Sequence, residues 1–237
     1  MYGERGRIGV VIPANNSVIE PEIWPKIPSG VSMFSTRILA KGDLVPEAVE
    51  RMETHFDRAV DELCATGIDV LVYADMVTTF IMDPDWNERR TDEVKRKTGV
   101  KCFSAWMALR SALDSLNIKS FALGTPYPKP VHALARPFFE TLGYRLVADQ
   151  TLDILAMTDV PKVRGDALRR FALGLPREGA EAIVLLATDL PTFSEIAAIE
   201  REAGIPVLTS NQTILWRALR ACGVADPVDG LGRLFKI

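Results

Sequence analysis

GIDVLVYADMVTTF, residues 67–80, and GAEAIVLLATDLPTF, residues 179–193, decide the fold. Each begins with a glycine and an acid two residues later, runs through a short apolar stretch, opens into a polar loop and closes on Thr-Phe. A short apolar run bounded in this way reads as a strand buried on both faces. A second pair, IGVVIPANN at residues 8–16 and SFALGTPYP at residues 120–128, repeats in the same order. Both pairs are offset by 112 residues, from 67 to 179 and from 8 to 120. Two segments recurring in one order at one spacing point to an internal duplication.

Outward from these stretches, short apolar runs alternate with longer amphipathic ones, the pattern of βαβ units around parallel sheets. The strands expected are Ile8 to Ile12, Val31 to Arg37, Val70 to Tyr73, Lys101 to Phe103, Ser120 to Leu123, Tyr144 to Ala148, Ile183 to Leu186 and Val207 to Thr209. One long helix is expected from Pro46 to Thr66, with Val49, Met52, Phe56, Val60 and Leu63 at helical spacing and Gly67 as its stop. Further helices start near Asp85, Ala105, Pro130, Gly165, Pro191 and Gln212. The fold class is therefore α/β, with two pseudo-symmetric lobes, each a parallel sheet flanked by helices. Residues 1–115 plus 213–237 form the first lobe and residues 116–212 the second. The cleft between them lies at the carboxyl ends of the strands, where open α/β sheets bind ligands.

Composition narrows the function classes. The 237 residues are 48% hydrophobic and 25% charged, with a net charge of −3 and no basic cluster. That profile is globular and argues against nucleic acid as a partner. No apolar run approaches the ~20 residues of a membrane span. The N-terminus lacks signal-peptide architecture, so a cytoplasmic protein with no membrane partner is expected. Three cysteines, Cys64, Cys102 and Cys222, and two histidines, His55 and His132, fit neither a disulfide framework nor a zinc site. With no glycine-rich nucleotide signature either, no cofactor and no metal are expected.

Four loops follow strands and precede helices: Pro13 to Ser17, Ala74 to Thr79, Thr125 to Pro128 and Ala187 to Thr192. Each presents backbone N–H groups towards the cleft, and facing cradles of this kind suit a carboxylate or a developing oxyanion. Five stretches, GVVIPANNSVIEPE, DVLVYADMVTTF, ALGTPYPKPV, AIVLLATDLPTF and GIPVLTSNQTILWRALR, resemble the cofactor-free aspartate/glutamate racemase superfamily in order and spacing. Within it they are similar to the maleate isomerase and arylmalonate decarboxylase branch. The resemblance implies that Asn16 and Tyr127 contact a substrate carboxylate, with Pro13 and Asn15 beside them. It implies backbone donors from the loops of Met76, Val77 and Thr78 and of Ala187, Thr188 and Asp189.

The sequence departs from the family where its catalysts carry a cysteine at the strand end of one or both halves. Asp75 stands at the first such position and Ala187 at the second. Two-cysteine racemisation and a covalent cysteine adduct therefore do not carry over. Asp75 reads either as a helix cap or as an acid, base or nucleophile in a desolvated cleft. Thr188 is a candidate hydroxyl donor facing Asp75. Asp189, two residues before Pro191, reads as a cap. Asn15 and Asn16 hold a turn or meet substrate. Tyr127, between two prolines, either packs or aims its hydroxyl. His132 is a proton carrier or an exposed helical residue. Residues 82–93 are a solvated helix start or a flap anchored by Trp86.

The function expected is a cofactor-independent enzyme on a small carboxylate-bearing substrate. The reaction would be isomerisation, racemisation or decarboxylation, with Asp75 in place of the usual cysteine. A hydrolase or lyase in which Asp75 activates water or attacks directly is the alternative, and a non-catalytic small-molecule binder stands as the third. A homo-oligomer remains open. The cysteine positions give the first prediction. Alkylating reagents should leave turnover largely intact, and replacing Cys64, Cys102 and Cys222 by Ser or Ala should cost stability at most. Loss of turnover on changing Cys102 alone, in folded protein, would overturn the assignment of the strand-end position.

Overall fold

The computed structural model describes residues 2–237. Eight strands form two four-stranded parallel sheets. The first sheet contains β1 (Gly6–Pro13), β2 (Val31–Ile38), β3 (Val70–Tyr73) and β4 (Lys101–Ser104) in the order β2-β1-β3-β4. The second contains β5 (Ser120–Thr125), β6 (Arg145–Thr151), β7 (Ala182–Leu185) and β8 (Val207–Thr209) in the order β6-β5-β7-β8. The two orders are the same once each strand is matched to the one four places on. This is the topology that the repeats at residues 67–80 and 179–193 imply. The central strands β3, β5 and β7 are buried along their whole length, which is why they read as unbroken apolar runs. A bulge in β6 opposite Phe121 and Ala122 lets that strand run on to Thr151.

The helices are α1 (Ile19–Ile23), α2 (Pro46–Glu53), α3 (Phe56–Cys64), α4 (Thr78–Ile81), α5 (Trp86–Thr98), α6 (Ala105–Ser115), α7 (Lys129–His132), α8 (Ala135–Thr141), α9 (Gly165–Gly174), α10 (Ile196–Ala203) and α11 (Ser210–Ala221). Among the described residues no helix is long and apolar enough to cross a membrane. Three expectations need correction. The single helix from Pro46 to Thr66 is two, α2 and α3. The Thr54 hydroxyl bonds back to the Arg51 carbonyl at 2.7 Å, and the backbone tightens there, with His55 N–H bonding Met52. The apolar stripe survives the break, since Val49, Met52, Phe56, Val60 and Leu63 are all buried. The helix near Pro130 also splits, into α7 and α8. Pro137 has no N–H to give the Ala133 carbonyl, and Ala133 is where the first piece ends. No helix begins at Pro191; α10 starts five residues later because the Thr192 and Phe193 N–H groups bond the Glu22 carboxylate instead.

Helix α11 packs against α6 and β3 of the first sheet as well as β8 of the second. Its start is fixed by a capping box, in which Thr209 accepts from Gln212 N–H and Gln212 accepts from Thr209 N–H. Glu22, in α1, ties the halves together more tightly. Its carboxylate accepts from Thr192 N–H, from Phe193 N–H at 2.7 Å and from Asn211 Nδ2 at 2.8 Å.

Burial raises the Glu22 carboxyl to about 7, against the pull of those three donors. The folded value lies above the unfolded 4.5, so the folded state holds this proton more tightly. Stability from this group is fully present below the unfolded value and is lost as pH rises to about 7. Glu22→Gln cannot ionise. Denaturant unfolding at several pH values should show the variant losing less stability than wild type between mildly acidic and mildly alkaline pH, by on the order of 1 kcal/mol. Equal slopes for the two proteins would show that Glu22 stays ionised throughout.

Candidate active site

The cleft closes over a narrow cavity at the facing strand ends. Its polar end is made by Pro13, Asn15, Asn16, Asp75, Tyr127, Thr188 and Asp189. These residues come from the loops after β1, β3, β5 and β7, so the duplicated strand ends meet around one space. The opposite wall is apolar, built from α2 (Ala48, Val49, Met52), the loop before it (Ala40, Leu44) and the segment after β6 (Ile154, Met157, Val160). The two loops clasp each other over the cavity, with Leu44 N–H bonded to the Leu155 carbonyl and a bridge between Asp43 and Ala156. No lysine, arginine or histidine is among the lining residues.

Asp75 follows the last residue of β3 by two positions and is 7% exposed. Its Oδ2 accepts from the Thr78 hydroxyl at 2.6 Å and its Oδ1 from Val77 N–H at 3.3 Å. Asp75 therefore fills the N–H cradle of its own loop while one side of it faces the cavity. Burial raises its carboxyl, with the Thr78 hydroxyl and the loop N–H groups pulling the other way. Asp189 lies on the facing loop. It caps no helix, contrary to the sequence reading, because α10 starts at Ile196. Burial first, and the charge of Asp75 second, push it up to about 7. The two carboxyls thus face one space without a cation, and each resists ionisation of the other.

Ala187 has a φ of 111°, a backbone region that disfavours any side chain. Its N–H donates to Ser210 Oγ at 3.1 Å, and the next carbonyl, Thr188 O, accepts from Asn211 Nδ2 at 2.9 Å. The start of α11 holds the strained turn, which carries Thr188 and Asp189 to the cavity. The Thr188 hydroxyl donates to the Ala74 carbonyl at 3.0 Å and accepts from Asn16 Nδ2 at 3.1 Å. Asn16 Oδ1 accepts from Val18 and Ile19 N–H, at the start of α1. Thr188 and Asn16 therefore spend these groups on each other and on the backbone.

Tyr127 is different. Its hydroxyl is buried at the cavity with no protein partner, as is Asn15 Oδ1. The ring is held edge-on by Phe80, with centroids 6.3 Å apart, and its carbonyl accepts from the Thr151 hydroxyl. Burial and the charges of Asp75 and Asp189 hold its proton on well above the usual range. Tyr127 thus presents a donor, and Asn15 an acceptor, to whatever enters.

Other residues singled out from the sequence lie off the cavity lining. Met76, Thr78 and Ala187 are buried behind it. His132 bonds the Thr125 hydroxyl through Nδ1 at 2.9 Å, and burial lowers its pKa. None of residues 82–93 lines the cavity; Trp86 is buried at the start of α5, edge-on to Tyr73. No cysteine lines it, and burial pushes the Cys102 thiol up to about 12, leaving it protonated and unreactive. The apolar wall was not anticipated as part of the site. Val49 and Met52 carry the same helical spacing whether they face a core or a cavity. Ile154, Met157 and Val160 are spaced by three, the last two on a 3₁₀ helix (Met157–Lys162), a repeat too short to stand out in the sequence.

The family model for arylmalonate decarboxylase matches residues 8–235 of the chain. A maleate isomerase of Nocardia farcinica is 25% identical over 97% of this chain and 95% of its own length. An arylmalonate decarboxylase of Bordetella bronchiseptica is 26% identical over 96% and 95%. Among solved structures, the Nocardia farcinica maleate cis-trans isomerase with a covalently bound succinylcysteine intermediate superimposes with a TM-score of 0.90 at 28% identity, covering 97% of this chain and 98% of that one. A fold, a site at the facing strand ends and a match over nearly the whole length agree, and the chain belongs to the arylmalonate decarboxylase family.

Proposed function

We propose that this is a cofactor-independent isomerase or lyase that moves a proton at a carbon next to a carboxylate. The substrate is a small acid with an apolar body, and the reaction is isomerisation, racemisation or decarboxylation. One observation carries the reading: Asp75 and Asp189, both raised by burial, face the same cavity with no cation beside them. Such a pair holds one proton near neutral pH, which supplies an acid and a base side by side. Asp75 performs the proton transfer in place of a thiol. The Tyr127 hydroxyl and the protonated carboxyl of the pair donate to the substrate carboxylate, while Asn15 Oδ1 accepts from any donor the substrate carries.

The apolar wall receives the body of the substrate. It also removes water from around the carboxylate, which raises that group in energy and favours an enolate-like state held by the Tyr127 donor, or expulsion of neutral carbon dioxide. The names of the relatives, maleate isomerase and arylmalonate decarboxylase, support this range of reactions. The covalent succinylcysteine of the Nocardia relative has no counterpart, since no cysteine lines the cavity here. The same reading assigns residues 1–115 and 213–237 to one lobe and 116–212 to the other, with each lobe giving one carboxyl of the pair.

Substrate is found with a panel of small mono- and dicarboxylates in deuterated water, followed by NMR for exchange, isomerisation and loss of carbon dioxide. On a turned-over compound, Asp75→Asn keeps shape and removes the proton-transfer group. The rate should fall by at least ~10²–10⁴-fold in folded protein. In the same variant Asp189 should titrate below its wild-type value, because the second cause of its elevation is gone. A near-wild-type rate would reduce Asp75 to a loop cap.

Tyr127→Phe separates function from stability. It removes a buried hydroxyl with no protein partner, so the unfolding midpoint should hold or rise. Turnover should fall by roughly 10–100-fold, the loss of one hydrogen bond worth about 1.5–3 kcal/mol to a charged group. Unchanged kcat/KM would place the substrate away from this hydroxyl.

A further inference from the structure

Behind the cavity, Asp75 continues into a line of buried hydroxyls. Thr78 Oγ1 donates to Asp75 Oδ2 at 2.6 Å and lies 3.3 Å from the Tyr73 hydroxyl. The Tyr73 hydroxyl bonds in turn to Glu53 Oε1. Glu53 is the last residue of α2 and is half-buried, so the line leads from the cavity towards the surface. It contains four groups and three links, and each link needs one proton. The two hydroxyls supply two. With both carboxyls ionised, Thr78 donates to Asp75, Tyr73 donates to Glu53, and the Thr78–Tyr73 contact has no proton in it, in keeping with its length. With one carboxyl protonated all three links close, whichever end holds the proton.

We infer that Asp75 and Glu53 share one proton through Thr78 and Tyr73, and that Glu53 is the relay group through which Asp75 regains or discharges its proton between turnovers. The role in turnover rests on Asp75 being the proton-transfer group proposed above. When Asp75 has given the shared proton to substrate carbon, both carboxyls are ionised, and Glu53 takes a proton from water. Glu53 then passes that proton to Tyr73, Tyr73 passes its own hydroxyl proton to Thr78, and Thr78 passes its own to Asp75. Three O–H bonds form along the line as three break, and Glu53 is left ionised again. The reverse sequence discharges Asp75 after it has acted as a base, and no oxidation or reduction occurs.

The surroundings favour a single shared proton. Burial raises Glu53 to about 7, the bond from Tyr73 opposes it, and the charge of Asp75 adds to the elevation. Arg90 of α5 lowers it and Asp57 of α3 raises it. Arg90 is itself paired with Asp57 at 2.7 Å and Glu93 at 2.8 Å, and its guanidinium lies over the Phe56 ring. On the cavity side, Asp189 and Tyr127 feel the charge of Asp75 from the second lobe. The Tyr73 ring is gripped edge-on by Phe56 at 4.9 Å and Trp86 at 5.1 Å. Tyr73→Phe therefore keeps the packing and removes only the link.

The test needs no substrate. Side-chain carboxyl carbons of labelled Asp and Glu are followed by ¹³C NMR through a pH titration of the free protein. In wild type the Glu53 and Asp75 signals should both move through one common transition near neutrality. In Tyr73→Phe, and separately in Thr78→Val, they should move with distinct midpoints. A Tyr73→Phe protein that does not fold leaves the decision to Thr78→Val. Titration curves unchanged in the folded variants overturn the relay, and so does a wild-type Glu53 titrating alone in the ordinary carboxylate range. Wild-type turnover by Asp75→Asn would instead remove the catalytic role of Asp75 and leave the shared proton standing.

Discussion

The Thr188 hydroxyl holds the two sheets in register at their carboxyl ends. It donates to the carbonyl of Ala74, just past β3, and accepts from Asn16, in the loop after β1. All three groups are buried, so separating the lobes here would strand polar atoms at about 1–3 kcal/mol each. The hydroxyl reaches that point only because Ala187 accepts an unfavourable φ, at a cost on the order of 1–3 kcal/mol. Two bonds from Ser210 and Asn211 at the head of α11 offset the strain. Helix α11 in turn packs on α6 and β3, so a helix that follows the last strand of the second sheet is anchored on the first. This clamp, together with the Glu22 bonds to Thr192, Phe193 and Asn211, sets Asp189 on one side and Asp75 on the other.

Much of the fold could be read from the sequence because its signals are local. The strands β3 and β8 run over the residues that their apolar runs mark, and the 112-residue repeat corresponds to a repeated strand order. The misreadings occur where a side chain competes with the backbone. Thr54 ends α2, Pro137 divides α7 from α8, and Glu22 takes the N–H groups that a helix from Pro191 would have needed. The polar end of the cavity was legible because each of its residues follows a strand. Asp75, Thr188, Tyr127, Asn16, Asn15, Pro13, Val77 and Asp189 do line it. What is spent within the protein and what is left for a ligand was not legible. Thr188 and Tyr127 look alike in the sequence, as hydroxyls in post-strand loops. The first is bonded on both sides, and the second has no protein partner. That difference depends on contacts across 172 residues of chain, which no local pattern records.

The clamp also fixes the electrostatics. A carboxylate brought this close to a second one, with no arginine or lysine lining the space, is stabilised by only a few hydrogen bonds. The fold limits the penalty by protonation: Asp189 and Glu53 both titrate at about 7, and Asp75 is raised between them. A thiol in the same place would need its own activation to become a thiolate, because burial raises thiol pKa values as well, as it does for Cys102. A carboxyl in that place is raised by burial too, as Asp75 is, against the pull of the Thr78 hydroxyl and the loop N–H groups. A carboxyl at this strand end has acid–base capacity without a thiol, and beside it the Tyr127 hydroxyl is left without a protein partner.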